Sequence, residues 1–226
     1  MGQRMDQLLK QVRNHLELEP IAIDPALAAP KTRGRGMRIR SYNWQAERFS
    51  KISVMDTTVG IPPMQQLNSM FYPRPEYDFP IFLFLTVVTK SNVIAIFNVN
   101  CPFEDANYIA TYVDPLTLIR ESYPPFSGRD RYPDWFEKYR TPATIFGVFG
   151  KDQLAQLTGC GLAFLNAYLK AATTAKKVVD PDRLILIANF HEQFKNDIRD
   201  KDRGRGVLEK LTDEETARRI FCEVAT

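Results

Sequence analysis

The chain has 226 residues, with 30 Lys and Arg against 27 Asp and Glu for a formal net charge of +3. That length suits one compact domain spanning 1–226, and so slight a positive excess excludes the dense field of a dedicated nucleic-acid binder, leaving only local basic patches. Cys101, Cys160 and Cys222 form no CxxC pair, and with only His15 and His191 no zinc-ligand spacing can be assembled, so a reduced, cytoplasmic protein without a structural metal is expected. No apolar run approaches the ~20 residues that span a bilayer. The opening MGQRMD has neither the apolar core of a secretory signal nor the Ser/Thr of a myristoylation signal, so no membrane association is expected.

In chain order, Met5, Leu8, Leu9, Val12 and Leu16 recur at helical spacing until Pro20 and Pro25, which predicts an amphipathic opening helix and then a Pro/Gly-rich linker to Gly36. Residues 37–112 read mainly as strands. MRIRSYNW and KISVMDTT alternate as paired strands do when one face is wet. FPIFLFLTVV, from Phe79 to Val88, is apolar on both faces and predicts a central strand covered from both sides, with VIAIFNVN (Val93 to Asn100) as its hairpin partner. Residues 113–226 read mainly as helices. One has Asp114 as N-cap ahead of Pro115, one runs from about Asp152 to Val178, one starts near Asp180-Pro181, and a last one follows a capping box of Thr212 and Glu215. Strands first and long helices last predict an α+β fold, an α/β/α sandwich around one antiparallel sheet.

The common catalytic templates are missing: GxxxxGK[ST], GxGxxG after a strand, HExxH and GxSxG do not occur. Cys160, between Gly159 and Gly161 in an apolar helix, reads as a small packing residue rather than a nucleophile. The stretch RDKDRGRGVLEKL resembles an arginine-glycine grip for phosphate. Asp197, Asp200 and Asp202 beside it would repel that ligand, so the glycines read instead as a turn leading into a helix near Val207.

Taken together, FYPRPEYDFPIFLFLTVVTKSNVIAIFNVNCP and DKDRGRGVLEKL resemble the ferredoxin-dependent bilin reductases, which include the phycobilin and phytochromobilin synthases and have red chlorophyll catabolite reductase as a distant relative. Pro73, Tyr77, Asp78, Phe79, Pro80 and Phe82 match the family's aromatic-acidic pair before Leu-Pro and the strand after it; Asp202, Arg205 and Gly206 match its Asp-Pro-x-Arg-Gly turn. The resemblance extends from about Met37 through most of the chain. It implies an open-chain tetrapyrrole such as biliverdin held between the sheet and the C-terminal helices. It also implies no bound metal or flavin, single electrons from reduced ferredoxin, bilin radicals, and protons from acidic side chains. A redox enzyme without a nucleotide fingerprint needs electrons from a partner protein, and basic patches would attract an acidic ferredoxin.

Departures from the family pattern fall at its acids. Leu85 stands where the family carries a proton-donating aspartate, and Asn98 and Asn100 stand where its partner strand often has an acid and a polar residue. The asparagines either line the pocket, bonding pyrrole N–H or lactam oxygens, or are satisfied polar residues of a strand. Asp202 is the remaining aligned acid and the expected proton source, with Arg203, in place of Pro, and Arg205 available to propionates; the alternative is that Asp202 only caps the following helix. Two other functions stay open, a non-catalytic tetrapyrrole binder on the same fold and an RNA-associated protein using the RGRG segments.

Overall fold

Met5, Leu8, Leu9 and Val12 fall on one face of the opening helix α1 (Gln3–Arg13) and all are buried, as their spacing predicts. The computed structural model describes residues 3–34, 36–129 and 132–226. After α1 come β1 (Glu19–Ile21) and α2 (Pro25–Ala28), then the meander β2 (Arg38–Ala46), β3 (Phe49–Val59), β4 (Met64–Pro73), β5 (Ile81–Val88) and β6 (Asn92–Asn100). Helices α3 (Ala106–Tyr112) and α4 (Asp114–Glu121), strand β7 (Gly128–Arg129) and a 3-10 turn (Asp134–Tyr139) lead to β8 (Ile145–Gly150). The chain closes with α5 (Leu154–Thr174), α6 (Pro181–Lys201), α7 (Gly204–Leu211), α8 (Glu214–Arg219) and a π-helical turn (Ile220–Ala225).

The strands form one antiparallel sheet in the order β1-β2-β3-β4-β5-β6-β8-β7, so β5 is an inner strand as expected. Its even-numbered residues Phe82 and Phe84 face a layer that holds α1, α4 and α5. Its odd-numbered Ile81 and Leu83 face a layer made by α6, α7, α8, the π turn and the 3-10 turn. Helices thus cover both faces, giving the expected α/β/α sandwich. On the first face Gly161 brings α5 close to the sheet: a Cβ there would lie 2.7 Å from the Phe97 ring and 2.9 Å from that of Phe84. Cys160 beside it is fully buried, and burial pushes its thiol up to about 12, in keeping with packing rather than chemistry.

Several boundaries differ from the sequence expectation. Strands β4 and β8 were not expected, and β8 returns among the helices to pair with β6. Helix α5 stops at Thr174 because the chain turns extended at Ala175 and the Val178 N–H bonds the Glu76 carbonyl at 2.9 Å. The cap of α8 is Asp213, accepting from Thr216 N at 2.8 Å, whereas the Thr212 hydroxyl donates back to the Leu208 carbonyl. Val113, not Asp114, precedes α4, with Pro115 one position further into the helix than expected. Helix α7 starts at Gly204 rather than near Val207: the Asp202 carboxylate accepts from Gly204 N at 2.6 Å and starts the new helix at once, leaving both glycines inside it.

Candidate functional site

The sheet face under α6–α8 carries polar residues between its apolar ones. Cross-strand neighbours share a face, and the register gives three successive rows there. One holds Ile81 and Asn100, with Tyr72 one step past the last β4–β5 pair, Phe71 and Phe82; the next links Asn43, Ser53, Met70, Leu83 and Asn98; the third links Ser41, Met55, Asn68, Leu85, Ile96 and Phe146. The first two rows are closed, since Tyr72, Leu83, Asn98 and Asn100 are all buried. In the third, Asn68, Leu85, Ile96 and Phe146 are only half-buried, although they lie on inner strands of a covered face. The helix layer therefore covers this row least, and its half-buried side chains around Leu85 mark a candidate slot.

The slot's polar groups lack protein partners. Ser41 Oγ, Asn43 Oδ1, Thr57 Oγ1 and Asn68 Oδ1 all lie on this face, all are buried, and none has a hydrogen-bond partner among the described residues. A buried acceptor left unpaired costs free energy, and a ligand with N–H groups would recover it. Asn68 is directly opposite Leu85 in the β4–β5 register, and sequence reasoning missed it.

Helix α6 lies over the same face and ends at its C-cap, Asp202. The head of α6 is fixed by Arg183, bonded at 2.9 Å to Asp78 just before β5 and lying 3.7 Å from the Phe103 ring centroid. Further along, the Phe194 ring packs on Tyr72 and Tyr139 at 6.5 and 5.1 Å. Asp202 follows Phe194 by eight residues, about 12 Å along a helix. The C-terminal half of α6 thus packs on this face, with Phe194 and Ile198 in one core with Ile81 and Leu83. Asp202 as a whole is half-buried, but burial raises the pKa of its carboxyl above the usual range, opposed only by the Gly204 N–H. The arginines that follow it in sequence do not lower it. Arg205 is paired with Glu209 at 3.0 Å, and Arg203 turns to a separate open cavity of about 470 Å³ with Arg33, Lys210 and Glu214.

Asn98 and Asn100 lie deeper than the slot. Asn98 Nδ2 donates to Asn100 Oδ1 and to the Tyr139 carbonyl, both at 2.8 Å, and its Oδ1 accepts from Thr144 at 2.5 Å; Asn100 Nδ2 donates to the Ile81 carbonyl at 3.0 Å. The Asn98 side chain is saturated, while Asn100 keeps one N–H free. These bonds tie β6 to the turn before β8 and hold one side of the slot.

On the β2–β4 side the wall is the closing π turn. Lys51 Nζ donates to the Glu223 carbonyl, Asn43 Nδ2 to that of Val224, and the Tyr72 hydroxyl to that of Ala225, at 3.2, 3.2 and 3.0 Å. Among the described residues no helix is long and apolar enough to cross a membrane, and no cluster of His, Cys, Asp or Glu is arranged to hold a metal ion.

Comparison with known proteins agrees with this architecture. Phytochromobilin synthase from tomato, solved in complex with biliverdin, superposes with a TM-score of 0.83 at 19% identity, covering 96% of this chain and 79% of that one. Phycocyanobilin:ferredoxin oxidoreductase from Synechococcus sp. is 24% identical over 91% of this chain and 84% of its own length. Phycoerythrobilin:ferredoxin oxidoreductase from Gloeobacter violaceus is 26% identical over 92% and 86%, and 15,16-dihydrobiliverdin:ferredoxin oxidoreductase from Nostoc punctiforme is 24% identical over 97% and 91%. The model of the ferredoxin-dependent bilin reductases matches residues 5–224. With nearly its whole length matched, and a slot between sheet and C-terminal helices, the chain belongs to the ferredoxin-dependent bilin reductase family.

Proposed function

We propose that the protein reduces a linear tetrapyrrole of the biliverdin type with electrons from reduced ferredoxin, and that Asp202 supplies a proton. What supports this reading is an unpartnered Asn68 acceptor on the half-open row of the sheet, together with a carboxyl group at the end of a helix over the same face whose burial favours the protonated form. Reduction of one double bond takes two electrons and two protons. One-electron delivery leaves a basic radical anion, so a proton must stand within hydrogen-bond reach. Asp202, held by Gly204 N through one oxygen, keeps the other for the substrate. Asn68 Oδ1 would accept from a pyrrole N–H, and Leu85 and Ile96 would lie under the ring plane.

Leu85 removes the acid from the floor, which leaves Asp202 and water to supply protons. Asn98 and Asn100 frame the slot in this reading, with the free N–H of Asn100 the one donor they can offer. Arg203 lines an open cavity with Arg33 and Arg205 pairs with Glu209, and basic side chains at the surface serve ferredoxin docking.

Titrating the protein with biliverdin and recording absorbance, then adding reduced ferredoxin, tests the reading. A bound-state shift followed by bleaching or conversion is expected, with a rate that falls as ionic strength rises. A shift without turnover would make the protein a tetrapyrrole binder, and turnover on NADPH alone would remove ferredoxin from the account.

A further inference from the structure

A buried charge cluster surrounds Asp197, which neither the family motif nor the proton chemistry uses. Asp197 lies on α6 and is only 6% exposed. Its Oδ2 accepts from the Tyr139 hydroxyl and from Lys138 Nζ, and its Oδ1 from Lys201 Nζ, each at 2.6 Å. Burial alone would raise its pKa, but the bonds from Lys138, Lys201 and Tyr139 outweigh that and hold the carboxyl at about 2. It is an anion at any working pH.

One buried carboxylate needs one cation for neutrality, and here it has two. The cluster therefore carries a net charge of +1. An ammonium group has three donors; each lysine spends one on Asp197 and, among the described residues, neither has a second acceptor. Their side chains remain 44% and 47% exposed. The cluster also has a defined place. Lys201 immediately precedes Asp202, and Lys138 sits on the turn whose Tyr139 carbonyl is bonded by Asn98, so both lysines belong to the layer that covers this face of the sheet on its β6–β8 side.

We propose that Asp197 is a positioning residue: it holds Lys138 and Lys201 side by side at the slot so that together they take one carboxylate of the linear tetrapyrrole. The inference rests on the bilin reading above and deepens it. Asp197 does not touch the substrate. It removes the entropy that two free lysine side chains would lose on closing around an anion, and the net +1 matches one carboxylate rather than two. Arg205, the other cation of this end of the chain, has its charge already matched by one carboxylate, that of Glu209.

The test compares biliverdin with its dimethyl ester, which keeps the ring system and loses both charges. The wild-type protein is expected to bind the acid at least roughly tenfold more tightly than the ester, the scale of a charge-assisted hydrogen bond. In Asp197→Asn that preference should collapse, with KM for biliverdin raised, kcat at saturation little changed, and ester binding as in wild type. Because loss of a buried carboxylate can unfold the chain, Lys138→Gln and Lys201→Gln are made in parallel. Each leaves Asp197 one ammonium, and each should reduce the preference while sparing ester binding. Equal binding of acid and ester by the wild type would overturn the proposal while leaving the bilin reading intact. Binding of neither would overturn the bilin reading itself. A lowered kcat with unchanged KM in the lysine variants would assign the cluster to the chemical step and overturn the positioning role.

Discussion

The two faces of the central sheet are built from different chemistry. Under α1 and α5, Phe82, Phe84, Phe97, Phe71 and Val99 interlock with Tyr168, Phe164 and Leu165, all of them buried, and Gly161 lets the helix come close. Under α6–α8 the same strands present Ser41, Asn43, Ser53, Thr57, Asn68, Asn98 and Asn100 among methionines and aliphatic residues. Among the described residues the first face leaves one sheet side-chain oxygen without a partner, Ser69 Oγ, and the other leaves four, on Ser41, Asn43, Thr57 and Asn68. A strand that reads as apolar on both sides thus serves two ends: its even-numbered residues hold the fold and its odd-numbered ones floor a site.

The contrast can be broken most strongly on the packed face. Phe82 is fully buried with its ring 4.9 Å from that of Tyr168, so Phe82→Ala should cost about 3–5 kcal/mol in denaturant unfolding. On the other face a change of similar energetic size should appear in catalysis instead. Asp202→Asn keeps the bond to Gly204 N and removes the proton, so turnover should fall roughly 10²–10⁴-fold with bilin binding retained. Stability should move the other way. A carboxyl whose folded pKa is raised contributes stability below its unfolded pKa and loses it as pH rises through the folded one, so at pH 7 the asparagine variant should be no less stable than wild type.

Acid should attack the layer over the site first. His191 is 7% exposed on α6, and burial, then Lys195, bring it down to about 4. A histidine kept neutral in the fold contributes stability above its unfolded pKa, lost as pH falls from the usual value through about 4; the difference is about 3 kcal/mol. His191→Gln should flatten the stability profile over that window, as read by urea unfolding at stepped pH. The smallest effect sharpens the comparison most. Thr57→Val removes a buried hydroxyl without a partner and keeps the shape, so it should stabilise the protein by about 1 kcal/mol, where any change at Phe82 destabilises it.

Much of the packed face was legible in the sequence because its signal is local: Phe79 to Val88 and Val93 to Asn100 are apolar runs of strand length around a short connection. Strand β4 was not legible, since MQQLNSMFYP mixes amides with apolar residues, and that mixture is what a slot floor requires. Strand β8 was hidden by its two glycines and by its position after helices. At the site, Asp202 and Leu85 were found through a family motif. Asn68 was not, because it meets Leu85 only through a register set by the β4–β5 connection. Asp197 was read as one of several acids that would repel phosphate; Lys201 follows it by one helical turn, but Lys138 reaches it from a turn far away in sequence.

The closing π turn has a consequence for which changes the protein can accept. One wall of the slot side is made of main-chain oxygens from residues 223–225, held by Lys51, Asn43 and Tyr72. Every amino acid supplies such an oxygen, so the identities of Glu223 and Ala225, whose side chains are exposed or half-buried, matter little to that wall. The burden of invariance falls instead on the three donors across from them, on strands more than a hundred residues earlier in the chain. Sequence drift at the turn should therefore be silent, whereas drift at Asn43 or Tyr72 would shift the wall itself.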